Sequence, residues 1–487
     1  MDQPYSRIAD ALLDYQYWSP DDPQKTPYDD TGWTFPEGFA VQAVRVTDPK
    51  VLDAAMERVN TDIRAPGGVV GTGRVFLVNH NGDNALATLR YRLKSADFQS
   101  AEDGFTAAGQ KFARGSFVIG GVSAGDLDRA AKELGVRAYA VASAPNVKTH
   151  PARAARVAIL HTWLGTQTEG WWRQAFDVNG IPYEYISTQE VAKDPSLNAK
   201  YDVILFPPAG GSGQAIIDGM PMWRNPMPWK VTPETPNLTS FAQTDDIRPG
   251  LGLQGLANLQ RFVSNGGVLA GVENTADFAV RFGLVNGVTV NEAKRNAVVG
   301  SLLRSKLVDD ASPIVYGVAD NLALYSDDGT SFSVFSSRGG RGARFGTADS
   351  RATGRGTADD FDVAQGRPPI DSSHTLPITK KVQPWQAAPV TDDQLRNPVG
   401  VIPPDQRPRV ALRFGDQKDL LVSGLLDGGS DIAQRPVVVD VPVQKGHIVL
   451  FANNPIWRGE TIGSYFLVFN TILNWDNLNA GRNLDAK

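Results

Sequence analysis

The sequence predicts an α/β protein: a doubly wound, mostly parallel sheet, a second small α/β domain and an extended N-terminal arm. Two observations carry this. From Arg156 onward, short apolar runs such as ARVAILH, IPYEYIS and YDVILF alternate with amphipathic stretches of helical period, joined by short loops. And 487 residues, 41% of them hydrophobic and 21% charged, are too many for one core but ordinary for a folded chain of two or three domains.

Residues 1–68 are rich in Pro, Asp and aromatics (YQYWSPDDPQKTPYDDTGWTFPEGF), which predicts irregular turns pinned by aromatic contacts, an arm laid on a neighbouring domain. Residues 69–150 form the small domain. GRVFLVNH and GSFVIGG read as strands, DNALATLRYRLKSA and AGDLDRAAKELG as helices, AYAVAS as a further strand, and PNVKTHP closes the unit. Residues 151–487 form the large domain. TEGWWRQAFDVNG is a helix with an Asn-Gly stop, and YDVILFPPAGG a strand running into a glycine-rich loop. A long Pro-broken loop, IIDGMPMWRNPMPWKVTPETPN, follows. The segment 336–371, rich in Gly, Arg and Asp, lacks the apolar content of a core and is expected to be a flexible excursion. The fold then resumes at RPRVALRFG and ends in a strand, a loop and a helix.

A net charge of −5 leaves no basic footprint, so nucleic acid is not an expected partner. No run of 18 apolar residues exists, so no membrane span is expected. The first residues lack the basic and apolar regions of an intact signal peptide. The absence of cysteine excludes disulfides, thiolate metal sites and thiol nucleophiles together.

The densest chemical signal is NLQRFVSNGGVLAGVENTADFAVRFGL, Asn258 to Leu284: helix, short buried strand, sharp turn, helix. Such a turn lifts one residue out of the sheet beside helix N-terminal amides, the geometry of a nucleophile elbow. Here that residue is Glu273, which serves either as general base or nucleophile, or as a helix cap. His161 ends the first strand of the large domain at the edge where such sheets bind ligands, and is the candidate proton shuttle, partnered by Glu273 or Glu169. The alternative for His161 is a bond to neighbouring backbone, and for Glu169 a favourable place in the first turn of a helix. Gly210, Gly211 and Gly213 leave backbone uncovered, as an oxyanion hole requires, and Ser212 among them is the fallback nucleophile. Trp223 and Trp229, with Met220, Met222 and Met227, form either a hydrophobic substrate wall or an interface.

Two groups of phrases carry a resemblance. VAILHTW, YDVILFPP, LQRFVSNGGVLAGVEN and GHIVLFANNPIWRGETIGSYFLVFNTIL resemble the class I glutamine amidotransferase-like domain, a flavodoxin-like sandwich, in the variant fused behind the catalytic domain of bacterial zinc carboxypeptidases. The opening MDQPYSRIADALLDYQYW and PYDDTGWTF look like the segment after the peptidase domain there, and PYDDTGW, NPMPWK and FANNPIWRGET are the most specific phrases of the likeness. The resemblance spans nearly the whole chain. It implies a C-terminal portion or stand-alone relative without the peptidase, fused to or associated with one, in the periplasm or secreted, with a cytoplasmic protein as the alternative. Two activities are nevertheless excluded. None of the five histidines opens an H-x-x-E pair, so zinc peptidase chemistry is absent, and Glu273 stands where the amidotransferase thiol belongs.

The expectation is therefore a hydrolase of ester or amide bonds, without cofactor or metal, acting on a small-molecule, peptide or polymeric substrate. The alternatives are a non-catalytic accessory or substrate-binding domain, and an interaction module. His161 and Glu273 within hydrogen-bond or one-water reach would favour catalysis; a sealed Glu273 would favour silence.

Overall fold

The computed structural model describes residues 5–23, 27, 29–61, 63–223, 225–238, 242–292, 298–335, 396 and 401–482. The expected flexible excursion at 336–371 lies outside these residues.

The large domain is built on one ten-stranded sheet. Five parallel strands run side by side in the order Tyr183–Ser187, Val157–His161, Val203–Phe206, Val268–Val272 and Gly446–Phe451. Their residues are almost all buried from Val157 to His161, Val203 to Phe206 and Val268 to Val272, as expected of strands covered on both faces by helices. Beyond Gly446–Phe451 the sheet continues antiparallel through Pro436–Val443, Arg409–Phe414, Ser301–Leu307 and Asn321–Ser326. The run VVVDVPVQKGHIVLF thus gives two strands of a hairpin where the sequence suggested one.

The helices fall where periodicity and punctuation put them. Gln167–Val178 ends at Asn179, followed by Gly180 at φ 61°, a left-handed conformation that glycine adopts without strain. Gly252–Ser264 and Asn274–Arg281 flank the Val268–Val272 strand. The final helix, Tyr465–Leu473, is buried along its whole length.

The small domain is a six-stranded sheet drawn from residues 68–151, mostly antiparallel, with Ala85–Arg92 and Ala124–Leu134 as its helices. It docks on the final helix through two buried histidine–asparagine pairs one turn apart. His80 Nε2 lies 2.9 Å from Asn470 Oδ1, and His150 Nε2 lies 2.9 Å from Asn474 Oδ1. Burial lowers the His80 pKa to about 4, so the ring docks uncharged.

The arm departs from the expectation of irregular turns throughout. Ser6–Leu13 is a helix, because the stretch preceding the proline-rich run has no helix breaker. It buries no residue. At Tyr15–Trp18 and Asp29–Phe39 the arm lies on the large domain: Trp18 N–H donates to Gly424 O at 3.0 Å, Gly424 N–H to Gln16 O at 2.9 Å, and Thr31 N–H to Gly300 O at 2.8 Å.

Asn470 should be a keystone of domain docking, since its amide also donates to Ile314 O at 3.1 Å and Tyr316 O at 2.8 Å. Asn470→Ala strands His80 and both carbonyls in a dry interface and should cost about 3 kcal/mol. Urea denaturation measures this; an unchanged midpoint would show that the interface relaxes around the gap.

Candidate functional site

The chain turns at Glu273 with φ 51° and ψ −116°, a conformation costly for a residue with a side chain. The surroundings impose it. Glu273 N–H donates to Phe451 O at 2.8 Å, continuing the ladder with the neighbouring strand. Two residues on, Thr275 Oγ1 donates to Phe206 O at 2.5 Å and accepts from Val272 N–H at 2.8 Å, tying both sides of the turn. Gly271 is required just before it: a Cβ there would lie 3.0 Å from the backbone of Thr275 and Ala276. Helix Asn274–Arg281 then starts directly. The elbow anticipated from VLAGVENTADF is present as a backbone shape.

Its side chain is sealed. Glu273 is 7% exposed, and its Oε1 is buried without a hydrogen-bond partner. Burial, and then the nearby Asp328 and Asp327, push its pKa well above the usual carboxylate range, so the protonated form is favoured.

His161 stands one strand away, with Val203–Phe206 between its strand and that of Glu273. Its ring is 1% exposed and stacked on Tyr185 at 4.1 Å, with Trp163 edge-on at 5.0 Å. Nδ1 lies 3.2 Å from Thr162 O and must donate to it; Nε2 is then an acceptor, buried and unpartnered. Burial lowers the pKa to about 4, and the charges acting on the ring are Glu190 and Arg173. No hydrogen bond joins His161 to Glu273, and neither appears among the charges that shift the other.

Glu169 meets His161 only through Tyr185. The Tyr185 hydroxyl donates to Glu169 Oε1, while the same phenol ring stacks on His161 and lies under the Arg173 guanidinium at 4.5 Å. Burial raises Glu169 to about 7.

The glycine loop is fastened to the elbow. Ala209 N–H donates to Asn274 Oδ1 at 3.0 Å, and Asn274 Nδ2 donates to Gly211 O at 2.9 Å, so the residue after the elbow fastens the loop. Gly210 is pressed against the Leu164 backbone, where a Cβ would sit 2.8 Å from its carbonyl. Gly211 has φ 81°, and Gly213 abuts Phe278 and Phe282. Ser212 caps helix Gly213–Asp218, its Oγ accepting from Ala215 N–H at 3.3 Å. Trp229 reaches Trp163 with ring centroids 6.5 Å apart, whereas Trp223 is 67% exposed.

Sequence reasoning assigned no role to a second group of residues at this edge. Asn453, directly beyond the Gly446–Phe451 strand, is fully buried, with both side-chain polar atoms unpartnered. Asn454 accepts from Trp172 Nε1 at 3.2 Å, and its N–H donates to Tyr325 O at 3.1 Å. Asp327 and Glu460 rise to about 6 and about 7, chiefly through burial and then through neighbouring carboxylates. The phrases FANNPIWRGET and PYDDTGW contained part of this signal. Their polar residues follow a buried strand, as Asn453 and Asn454 do, or stand side by side, as Asp29 and Asp30 do. Two surface clefts, of about 410 and about 340 Å³, lie elsewhere, one beside Arg92 and Asp126 and the other beside Glu190 and Tyr201. Among the described residues no cluster of acidic or histidine side chains could hold a metal ion, and no helix is long and apolar enough to cross a membrane.

No protein-family model matches the chain, and no curated protein matches it. Several solved structures are similar at low identity. PurLQS from Thermotoga maritima aligns over 66% of this chain and 99% of its own, at 11% identity and TM-score 0.33. A glutamine amidotransferase from Thermotoga maritima aligns over 37% and 64%, at 12% identity and TM-score 0.24. A beta-galactosidase from Bacillus circulans sp. alkalophilus aligns over 66% and 31%, at 10% identity and TM-score 0.29. Likeness of this order says nothing about the site.

Glu169 sets a pH dependence. Its folded pKa of about 7 lies above the ordinary 4.5, so its contribution to stability is full below pH 4.5 and is lost as pH rises through 7. Glu169→Gln keeps an acceptor for Tyr185 and cannot ionise. It should gain on the wild type by on the order of 2–3 kcal/mol across that window. Parallel stability–pH curves for the two proteins would refute the assignment.

Proposed function

We propose that this chain is a non-catalytic binding module on an amidotransferase-like α/β scaffold. It keeps the elbow as a shape and holds a protonated carboxyl where a nucleophile would stand. The observation that carries this reading is the isolation of Glu273: sealed, favoured in its neutral form, and bonded to no base. A general base must reach its proton donor directly or through one water, and a carboxylate nucleophile must be ionised; neither condition is met at this turn. In the glycine loop the Ala209 amide already serves Asn274 and is not free to receive an oxyanion.

What the edge offers instead is a set of buried polar groups at the ends of three parallel strands, the second and third of them adjacent and the first separated from them by Val203–Phe206. These are His161 Nε2, Glu273 Oε1 and both polar atoms of Asn453. Strand ends of this kind are where open α/β sheets bind ligands. Buried groups without partners are also unusual enough to need a reason. An accessory role beside a peptidase domain, recognising peptide or glycan, fits this reading, and its support is the set of phrases PYDDTGW, NPMPWK and FANNPIWRGET.

One observation favours hydrolysis as the second reading: the strained φ of 51° at Glu273, a cost that active sites often retain. In that case Glu273, His161 and Glu169 act on an ester or amide, with Gly210, Gly211, Ser212, Gly213, Trp223 and Trp229 holding the substrate.

The two readings separate on Glu273→Gln. Wild type and variant are expected to be equally inert toward short-chain p-nitrophenyl esters, amides and glutamine. The variant should be at least as heat-stable at pH 8, because it removes a buried acid that ionises with difficulty. Turnover by the wild type that disappears in Glu273→Gln would establish the hydrolase instead.

A further inference from the structure

We propose that Arg458, Trp457 and Tyr325 form a carboxylate-binding site which the chain fills with its own Asp30, and which an external carboxylate ligand occupies when the arm is displaced. The inference rests on the binding reading of this edge. The two fail separately, one being read from turnover and the other from carboxylate titration.

Asp30 is gripped by three donors from two separate elements. Its Oδ1 accepts from the Tyr325 hydroxyl at 2.5 Å and from Trp457 Nε1 at 3.0 Å, and its Oδ2 accepts from Arg458 Nη1 at 2.6 Å. The second guanidinium nitrogen, Nη2, goes to Asp29 at 3.0 Å. Charge-assisted bonds of this kind are the strong ones, and a guanidinium with two convergent neutral donors is a carboxylate receptor by its geometry.

The receptor is held together without Asp30. Trp457 stacks on Tyr325 at 4.7 Å with planes 16° apart, and the Arg458 guanidinium lies 4.8 Å over the Trp457 ring. Trp457 N–H is fixed by Thr461 Oγ1 at 2.9 Å. Arg458 itself sits at φ 41°, a left-handed conformation uncommon for a residue with a side chain, immediately before Gly459 at φ 73°. The backbone is thus bent to aim this one cation.

The site adjoins the elbow edge. Asn454, four residues before Arg458, bonds to the Tyr325 carbonyl, and the Tyr325 pKa is raised first by burial, then by Asp327 and Asp30, and least by Glu273. The arm is anchored at Tyr15–Trp18 and at Asp29–Phe39 and exposed beyond these stretches. Thr31 and Gly32 donate to Gly300 O at 2.8 and 3.0 Å, and a Cβ on Gly32 would fall 2.2 Å from Ser423 O. Helix Ser6–Leu13 buries nothing, and residues 41–61 are exposed throughout. Asp30 is therefore an internal ligand on an anchored segment, and a carboxylate from outside must displace it together with the neighbouring Thr31 and Gly32 bonds.

The test uses the full chain and sodium acetate as probe, with sodium chloride at equal ionic strength as control. In Asp30→Ala, acetate should raise the thermal midpoint and change tryptophan fluorescence saturably; adding Arg458→Gln should abolish both effects. An internal ligand acts at an effective concentration of millimolar order or above, so the wild type should need at least about tenfold more acetate. There the response should be accompanied by faster hydrogen exchange at the Thr31 and Gly32 amides, reporting the arm's release. If Asp30→Ala does not fold, Asp30→Ser takes its place. A folded variant that answers acetate no differently from chloride overturns the site. A response that survives Arg458→Gln does the same, and unchanged exchange at Thr31 and Gly32 in acetate-saturated wild type overturns the competition.

Discussion

The bond network that bends the chain at Glu273 organises this molecule's functional edge. Phe451 O holds the Glu273 amide, Thr275 Oγ1 bridges Phe206 O and Val272 N–H, and Asn274 fastens the glycine loop. Three neighbouring strand ends are thereby locked to one another by the first residues of a single helix. The strain of a positive φ at a glutamate is sustained by bonds that would all be lost if the turn relaxed. Remove Thr275 or Asn274 and the edge has no reason to keep its shape.

The same edge is closed over its own polar groups. Asp327, Asp328, Glu273 and Glu460 gather where Arg458 is engaged by Asp29 and Asp30, so burial and mutual repulsion hold several carboxyls toward their neutral forms. An active site for acyl transfer needs the opposite: an ionised nucleophile, a base in contact and free amides for the oxyanion. Here the elbow's backbone shape is present, while burial and neighbouring carboxylates favour the neutral form of Glu273. The small domain is fastened to the final helix by two buried amide–imidazole pairs, His80–Asn470 and His150–Asn474.

Much of the architecture was legible in the chain. Apolar runs ending at His161, Phe206 and Val272 could only be buried parallel strands, and the Asn179-Gly180 stop fixed a helix end. The elbow was legible because its requirements are local: a glycine before the turn, a short polar residue after it, a helix at once. The partnerships were not. The distance between His161 and Glu273 depends on which strand lies between theirs, and the order of strands in a sheet is a long-range property that periodicity does not encode. Asn454 and Arg458 escaped for the same reason, because their partners Tyr325 and Asp30 are remote in sequence.

By itself, then, the sequence determined the α/β class, the elbow at Glu273, the absence of thiol chemistry and the candidates at the strand ends, all of which follow from residue type and local spacing. Tertiary structure alone decided what those candidates face. It put Tyr185 between His161 and Glu169, sealed Glu273 beside Asp327 and Asp328, and laid Asp30 in the grip of Arg458. Whether a carboxyl is charged, paired or buried is set by what the rest of the chain brings against it, and no local pattern carries that information.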